Sequence, residues 1–344
     1  MNSNLLIKSD SIKGLEYLIN DLKLSNKIDL IYIDPPFASK NNFIISDSRS
    51  STISRGKIGK SVYSDNIIGD VYLNHIKNNL ILLNKLLSDL GSIYFHIDYK
   101  IGHKVKLVLD NVFGEKNFRN DITRIKCNPK NFKRLGYSNI KDCILFYTKN
   151  KTAIWNEPKK PHSKEQIEKL FKKIDENGKR YTTVPLHAPG EGLNHNRSTF
   201  KGIKPPEGRH WRRDPKILEE WDKKNLIEWS KNGNPRKKFY LDESGGVRHQ
   251  DIWDFKDPQY PIYPTEKNHR LLDLIISTSS NKGSIVLDCF CGSGTTLKSA
   301  NLLGRKWIGI DQSDEAIKQS KVKIDDSNFD LVVCKNKYKF IDLT

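Results

Sequence analysis

Apolar residues return along this chain in two alternating rhythms. Between residues 1 and 150, short runs with the continuous or period-2 pattern of strands alternate with stretches whose apolar positions recur every three or four residues, as on one face of a helix. Leu5–Lys8 reads as a strand and Ile12 to Leu22 as a helix. IDLIYIDPPF follows, an apolar strand over 28–33 that must stop at Pro35 and Pro36, because proline brings no N–H to a ladder. Residues 38–65 are polar and read as a mobile loop. Tyr72 to Leu90 returns to helical spacing. GSIYFHID (91–98) reads as a buried strand after a glycine turn, a helix is expected over about 101–113, and CILFYTK (143–149) is a further strand.

The rhythm breaks over residues 151–262. Proline and glycine punctuate this stretch, and it holds five of the six tryptophans: Trp155, Trp211, Trp221, Trp229 and Trp253. Alternation resumes at 263. A helix over about 267–280 leads to the strand SIVLD, a glycine loop, a helix over 295–303, the strand KWIGID (306–311) and a helix over 313–323. Strands alternating with helices through short links imply a sheet of mostly parallel strands covered on both faces. The expected fold is therefore α/β, a Rossmann-like doubly wound sheet assembled from 1–150 and 263–344, with 151–262 inserted between the halves.

Charge sharpens this picture. The net charge is +18 and the pI about 9.5, favouring a polyanion as partner, although an AT-rich genome also enriches lysine. Within 151–240, 22 Lys and Arg face 12 Asp and Glu, a net +10. Basic and aromatic residues interleave there, suiting phosphate contact and base stacking. Candidate DNA contacts are Lys204, Arg209, Arg212 and Arg213 in KPPEGRHWRR, and Arg236, Lys237 and Lys238 in NGNPRKK. The bland reading is a small domain with a tryptophan core. The five cysteines are irregularly spaced, so neither a disulfide framework nor a metal site is expected. No apolar stretch approaches a membrane span, and MNSNLLIKSD lacks a secretory pattern. A soluble, intracellular protein is expected.

Two motifs carry chemistry. The first is Asp34-Pro35-Pro36-Phe37 at a strand's carboxyl end, where open α/β sheets bind ligands. The lone pair of an exocyclic base amine is delocalised into the ring. A carboxylate (Asp34) and a backbone carbonyl (Pro35, aimed by the rigid prolines) that accept its two N–H bonds would localise that pair on nitrogen. Phe37 would stack on a base that has left its duplex. The second motif, Asp288-Cys289-Phe290-Cys291-Gly292-Ser293-Gly294-Thr295-Thr296, follows a buried strand and opens a helix. Small residues let backbone approach a ligand. Asp311 ends the next strand, 17 residues past Gly294, where an acid is placed to bind ribose hydroxyls. The spacing is neither the dinucleotide fingerprint nor a phosphate loop.

Together these motifs resemble the β-class amino-group DNA methyltransferases (N6-adenine and N4-cytosine), in particular type III modification subunits and their relatives. IDLIYIDPPF, GSIYFHID, VLDNVFGEKNF, ILFYTKN, YPTEKN, VLDCFCGSGTTL and GRKWIGID have that family's look and order over most of the chain. The resemblance implies a circularly permuted fold, with the catalytic motif before the cofactor motif, and S-adenosyl-L-methionine as cofactor. It implies that Asp34, Pro35, Pro36 and Phe37 grip the target base, and that Asp288, Phe290, Cys291, Gly292, Ser293, Gly294 and Thr295 line the methionine end of the cofactor. Asp311 would hold its ribose, Thr265 and Lys267 would lie beside it, and Asp10 would approach its adenine. Residues 151–262 would recognise the target sequence.

Several positions depart from the family pattern: Cys289 for proline or phenylalanine, TEKN for TQKP, Ala38 for asparagine, and Lys141 and Cys143 before ILFY. The partners implied are double-stranded DNA, with a second copy of the chain and a restriction subunit left open; a prokaryotic, cytoplasmic, nucleoid-associated protein is expected. Asp rather than Ser at the head of the catalytic motif favours adenine N6. An N4-cytosine enzyme, and a non-enzymatic DNA-binding protein with a degenerate methyltransferase fold, remain as alternatives. Cytosine C5 chemistry is set aside because no cysteine follows a proline.

Overall fold

The computed structural model describes residues 3–36, 42–46, 49–52, 60–64, 69–129, 133, 135–190, 192–259, 266–329 and 338–344. The chain divides into two compact units, Met1–Pro158 with Gln250–Thr344, and Lys159–His249.

The larger unit is built on one nine-stranded sheet. Its strands are β1 (Asn4–Lys8), β2 (Ile28–Ile33), β3 (Leu87–Ile97), β4 (Phe118–Ile125), β5 (Lys141–Thr148), β6 (Ile252–Asp254), β7 (Ile285–Asp288), β8 (Lys306–Asp311) and β9 (Tyr338–Asp342). Their order is β6-β4-β5-β3-β2-β7-β8-β1-β9. All neighbours pair in parallel except β3 with β5 and β5 with β4. Among the described residues, six helices cover the sheet: α1 (Ser11–Asn20), α2 (Asp70–Leu86), α3 (Tyr99–Phe113), α4 (His269–Ser279), α5 (Thr295–Leu302) and α6 (Asp314–Phe329).

Period-2 alternation explains the two layers. Leu5, Ile7, Ile31 and Ile33 point to one side, where they pack with Leu15 and Leu18 of α1, Leu80 and Leu83 of α2, and Val105 and Leu109 of α3. Leu6, Leu30 and Tyr32 point to the other, against Leu271 and Ile275 of α4, Leu297 of α5 and Ile317 of α6. The chain leaves β2 towards β3 on the first face and leaves β7 towards β8 on the second. The carboxyl ends of these adjacent strands thus form the switch point of a doubly wound sheet.

Helix starts follow local chemistry. Asp10 accepts from the Lys13 N–H at 3.1 Å to begin α1, Asp98 caps α3, and Asn268 caps α4. Three strands lie outside the apolar pattern. β4 (FRNDITRI) is mostly polar, β6 is three residues long, and β9 (YKFID) is an edge strand. Within 38–65, read as a loop, Asn42–Ser46, Arg49–Thr52 and Lys60–Ser64 pair as a three-stranded antiparallel sheet; Phe43-Ile44-Ile45 is the strand-forming run.

The smaller unit contains an antiparallel sheet in the order Lys173–Ile174, Arg180–Pro185, Pro235–Tyr240, Ile227–Trp229, and a core of Leu186, Phe200, Trp211, Leu218 and Ile227. It is narrower than the 151–262 insert read from the sequence: Trp155 stacks on Phe146, and Trp253 is buried within the larger unit. Among the described residues, no helix is long and apolar enough to cross a membrane.

Trp307 on β8 is fully buried, and its indole N–H donates to Asn301 at 3.3 Å. Trp307→Ala should cost about 3–5 kcal/mol in urea unfolding; a loss below about 1 kcal/mol would contradict this packing.

Candidate active site

Asp34 is the first residue past β2, and Pro35 and Pro36 prevent the ladder from continuing. Its Oδ2 lies 2.6 Å from the Lys267 ammonium. Its Oδ1 is buried without a hydrogen-bond partner among the described residues, 3.8 Å from His96 Nδ1. Lys267, expected beside the cofactor, therefore faces the catalytic motif. Phe37 and Thr265 lie outside the described residues.

The glycine loop starts at the end of β7, beside β2. Asp288 is buried and accepts from the Phe290 N–H at 3.0 Å and the Thr296 hydroxyl at 2.6 Å. Burial raises its pKa to about 7, against the pull of these two donors. The loop then turns on Gly292 (φ +51°) and Gly294 (φ +78°). A Cβ on Gly294 would stand 2.7 Å from Ser320 Oγ and 3.0 Å from Ser320 Cα, so both conformation and space require glycine. Cys289 and Cys291 are buried, and burial pushes both thiols up, which suits packing rather than nucleophilic attack. Phe290 is half-buried.

Asp311, at the end of β8, holds the loop from the side. It accepts from the Gly292 N–H through Oδ2 and from the Ser313 N–H through Oδ1, both at 2.9 Å. Burial raises its pKa, these N–H donors opposing. The Gln312 N–H donates to Asp311 as well, and of a carboxylate's roughly four lone-pair positions about one remains for a hydroxyl donor. Asp10, exposed at the end of β1, spends one oxygen on the cap of α1.

From α6, Ser320 donates to the Gly292 carbonyl at 2.9 Å. Lys323, one turn on, reaches Ser293 Oγ at 2.9 Å, Thr295 Oγ1 at 3.1 Å and Glu266 at 2.5 Å. Burial lowers the Lys323 pKa, with Glu266 opposing. Neither Ser320 nor Lys323 stands in a recognisable motif, and only the three-residue spacing on α6 hints that they act together.

A second group, missed from sequence, lies behind Asp34. His96 on β3 is fully buried, with Nδ1 2.9 Å from the Tyr32 hydroxyl and Nε2 3.2 Å from Asp142 Oδ2. Burial pushes its pKa down, more than the Asp34 and Asp142 carboxylates pull it up. Asp142 begins β5 and lies 2.5 Å from Lys126 and 3.6 Å from Arg124. Burial opposes its charge, but the hydrogen bond with His96 and the nearby cations outweigh it and hold the carboxyl well below the usual range. Arg124, fully buried, donates to the Phe255 carbonyl and pairs with Asp257. The available clue was ionisable residues inside buried strands.

In the smaller unit, Lys204, Arg209, Arg212 and Arg213 are exposed. Arg209 contacts His187 Nδ1, Arg212 donates to its carbonyl, and Arg236 is held by Thr183. Burial and these three guanidiniums lower the His187 pKa. Lys237 lies over Trp221, 4.3 Å from the ring centroid. Lys238 is buried at 9% exposure and donates to Asn225, so its side chain faces the protein interior rather than solvent.

The DNA methylase family model matches residues 28–322. Over 316 residues the chain is 40% identical to the type II methyltransferase M.EcaI of Enterobacter cloacae, covering 90% of this chain and 67% of that one. It is 28% identical over 347 residues to the StyLTI Mod subunit, from a type III restriction-modification enzyme of Salmonella typhimurium, covering 88% of this chain and 50% of the subunit. The solved S-adenosyl-L-methionine complex of TTHA0409, a putative DNA modification methylase from Thermus thermophilus, shares the fold, with a TM-score of 0.51, 13% identity and 99% of each chain covered. The chain thus spans about half to two thirds of the length of these two sequence relatives.

Two outcomes follow from the loop. Asp288 binds its proton more tightly folded than unfolded, so it stabilises fully below its unfolded pKa of 3.8 and loses that contribution as pH rises through about 7. Asp288→Asn should therefore gain stability relative to the parent between about pH 4 and pH 8, on the order of 4 kcal/mol at the upper end; a pH-independent difference in urea midpoints would contradict a buried, protonating carboxyl. Gly294→Ala should lower the thermal midpoint and weaken nucleoside binding in calorimetry, since positive φ and the Ser320 backbone both oppose a methyl group.

Proposed function

The chain belongs to the DNA methylase family, and from that premise we propose that it is a site-specific DNA methyltransferase that moves a methyl group from S-adenosyl-L-methionine to adenine N6 in a short double-stranded sequence. The observation that carries this reading is the adjacency of Asp34 and the Gly292–Gly294 loop at the ends of two neighbouring parallel strands.

The donor set fits the cofactor. Asp311 retains about one lone pair for a ribose hydroxyl, the small residues of the loop leave backbone open to a ligand, and Phe290 offers an apolar edge. When bound, the cofactor supplies a methyl already activated by a sulfonium leaving group. The protein's task is then positioning and activation of the amine. The target base leaves the helix, its amine donates to Asp34 and to the Pro35 carbonyl, and its lone pair is freed for attack. Phe37 stacks on the base. Lys267 must yield Asp34 Oδ2 or share it when the amine arrives.

The basic unit 159–249 supplies DNA contacts, with exposed Lys204, Arg209, Arg212 and Arg213 as the foremost candidates. A second copy of the chain and a restriction subunit are possible assemblies of a nucleoid-associated cytoplasmic enzyme.

Single-molecule sequencing of DNA from a methylation-free host tests the reading. The parent should leave N6-methyladenine at one short motif, and Asp34→Ala should leave none while binding the cofactor with near-normal affinity. N4-methylcytosine instead would reassign the base, and full activity of Asp34→Ala would sink the mechanism. DNA affinity should also fall steeply with salt, by about 10³-fold or more between 50 and 200 mM if six or more phosphates are contacted; an affinity indifferent to salt would remove the basic unit from that role.

A further inference from the structure

The methyltransfer reading leaves one proton without a destination, and this inference rests on that reading. Transfer of a methyl group to the amine lone pair, with sulfur keeping the bonding pair, leaves the nitrogen positively charged and carrying one hydrogen more than the product. Asp34 Oδ2 faces Lys267, an ammonium with no lone pair to offer. Asp34 Oδ1 is buried and faces His96.

The geometry points to His96 as a proton-accepting, positioning residue behind Asp34, with Asp142 as its counter-charge. Asp142 is ionised and accepts only, so the hydrogen of a neutral imidazole belongs on Nε2, 3.2 Å from Asp142 Oδ2. Nδ1 then holds the lone pair and accepts from the Tyr32 hydroxyl at 2.9 Å. The same nitrogen is 3.8 Å from Asp34 Oδ1, and a carboxylate movement of about 1 Å brings the two within hydrogen-bond range. The proton passes from the methylated amine to Asp34 and then, as the Tyr32 hydroxyl rotates its hydrogen away and frees the Nδ1 lone pair, from Asp34 to Nδ1. Asp34 is again a carboxylate, and the imidazolium lies between two carboxylates. After product release the proton returns through Asp34 to solvent.

The charged and titratable groups facing this chain are Asp34 and Tyr32 from the β2 segment, Asp142 from β5, Arg124 and Lys126 from β4, and Lys267 ahead of α4. Burial keeps His96 neutral at rest and ready to accept. A His96 already protonated has no site for the transferred proton. Turnover should therefore decline as pH drops through the acidic side of the ordinary histidine range.

The test measures tritium transfer from methyl-labelled S-adenosyl-L-methionine into DNA of a methylation-free host, over about pH 5 to 8.5. The parent should show the acid limb. His96→Gln, which keeps a donor towards Asp142, should lose about 10²-fold in rate and lose that limb, with unchanged cofactor affinity by calorimetry. Asp142→Asn, a second variant in case the first misfolds, should move the limb to lower pH because the imidazolium loses its counter-charge. A His96→Gln rate within threefold of the parent, or a limb unmoved in Asp142→Asn, overturns the assignment while leaving the methyltransferase reading intact. No incorporation by the parent at any pH strikes that reading itself.

Discussion

Two backbone pairings, Leu30 with Val286 and Ile31 with Leu287, join the chain's beginning to its end. Asp29 reinforces the join by accepting from the Ile285 N–H and from the Ser88 hydroxyl. Everything functional hangs on this parallel contact between β2 and β7. It sets Asp34 and Asp288, far apart in sequence, at the ends of neighbouring strands. Because the chain leaves these strands on opposite faces, their ends form the sheet's switch point.

Charge is concentrated at this end of the sheet, and burial makes each group depend on its partners. Burial pushes the Asp311 pKa up while backbone N–H donors oppose the shift, and those bonds also anchor the glycine loop. Asp288 accepts, among the described residues, from the Phe290 N–H and the Thr296 hydroxyl, and burial pushes its carboxyl towards neutrality. Asp142 is held firmly ionised by its cations and by His96. Three aspartates on one sheet thus take different protonation behaviour from position alone. His96, Arg124 and Asp142 are as buried as the apolar core beside them, and ionisable groups in such a setting are candidates for a role beyond packing.

The antiparallel strand β5 shows why part of the site escaped sequence reading. Asp142 opens that strand, yet running against β3 and β4 it comes to lie beside their carboxyl ends, next to His96 and Arg124. Nothing in the string KDCILFYT announces that reversal. Ser320 and Lys323 are similar cases: on the helix read over 313–323, packing turns one edge onto the glycine loop. The short strands β6 and β9 also escaped, because pairing with β4 and β1 rather than their own apolar pattern makes them strands. Lys238, taken for a phosphate contact in a basic run, is buried and donates to Asn225 within its own unit.

What the sequence determined by itself was local. Short apolar runs defined β2, β7 and β8, the first stopped by prolines and the second by a glycine loop; helical spacing defined α1 to α6; and the Asp-Pro-Pro and Gly-Ser-Gly runs stood out as candidate sites because backbone conformation limits which residues can stand there. Tertiary structure decided which ends meet. Strand order, the reversal of β5 and the facing of α6 are set by burial of two apolar faces across hundreds of residues, and a periodicity measured over ten residues carries no information about that distance. Lys267 against Asp34, and His96 between Asp34 and Asp142, exist only once those faces have closed.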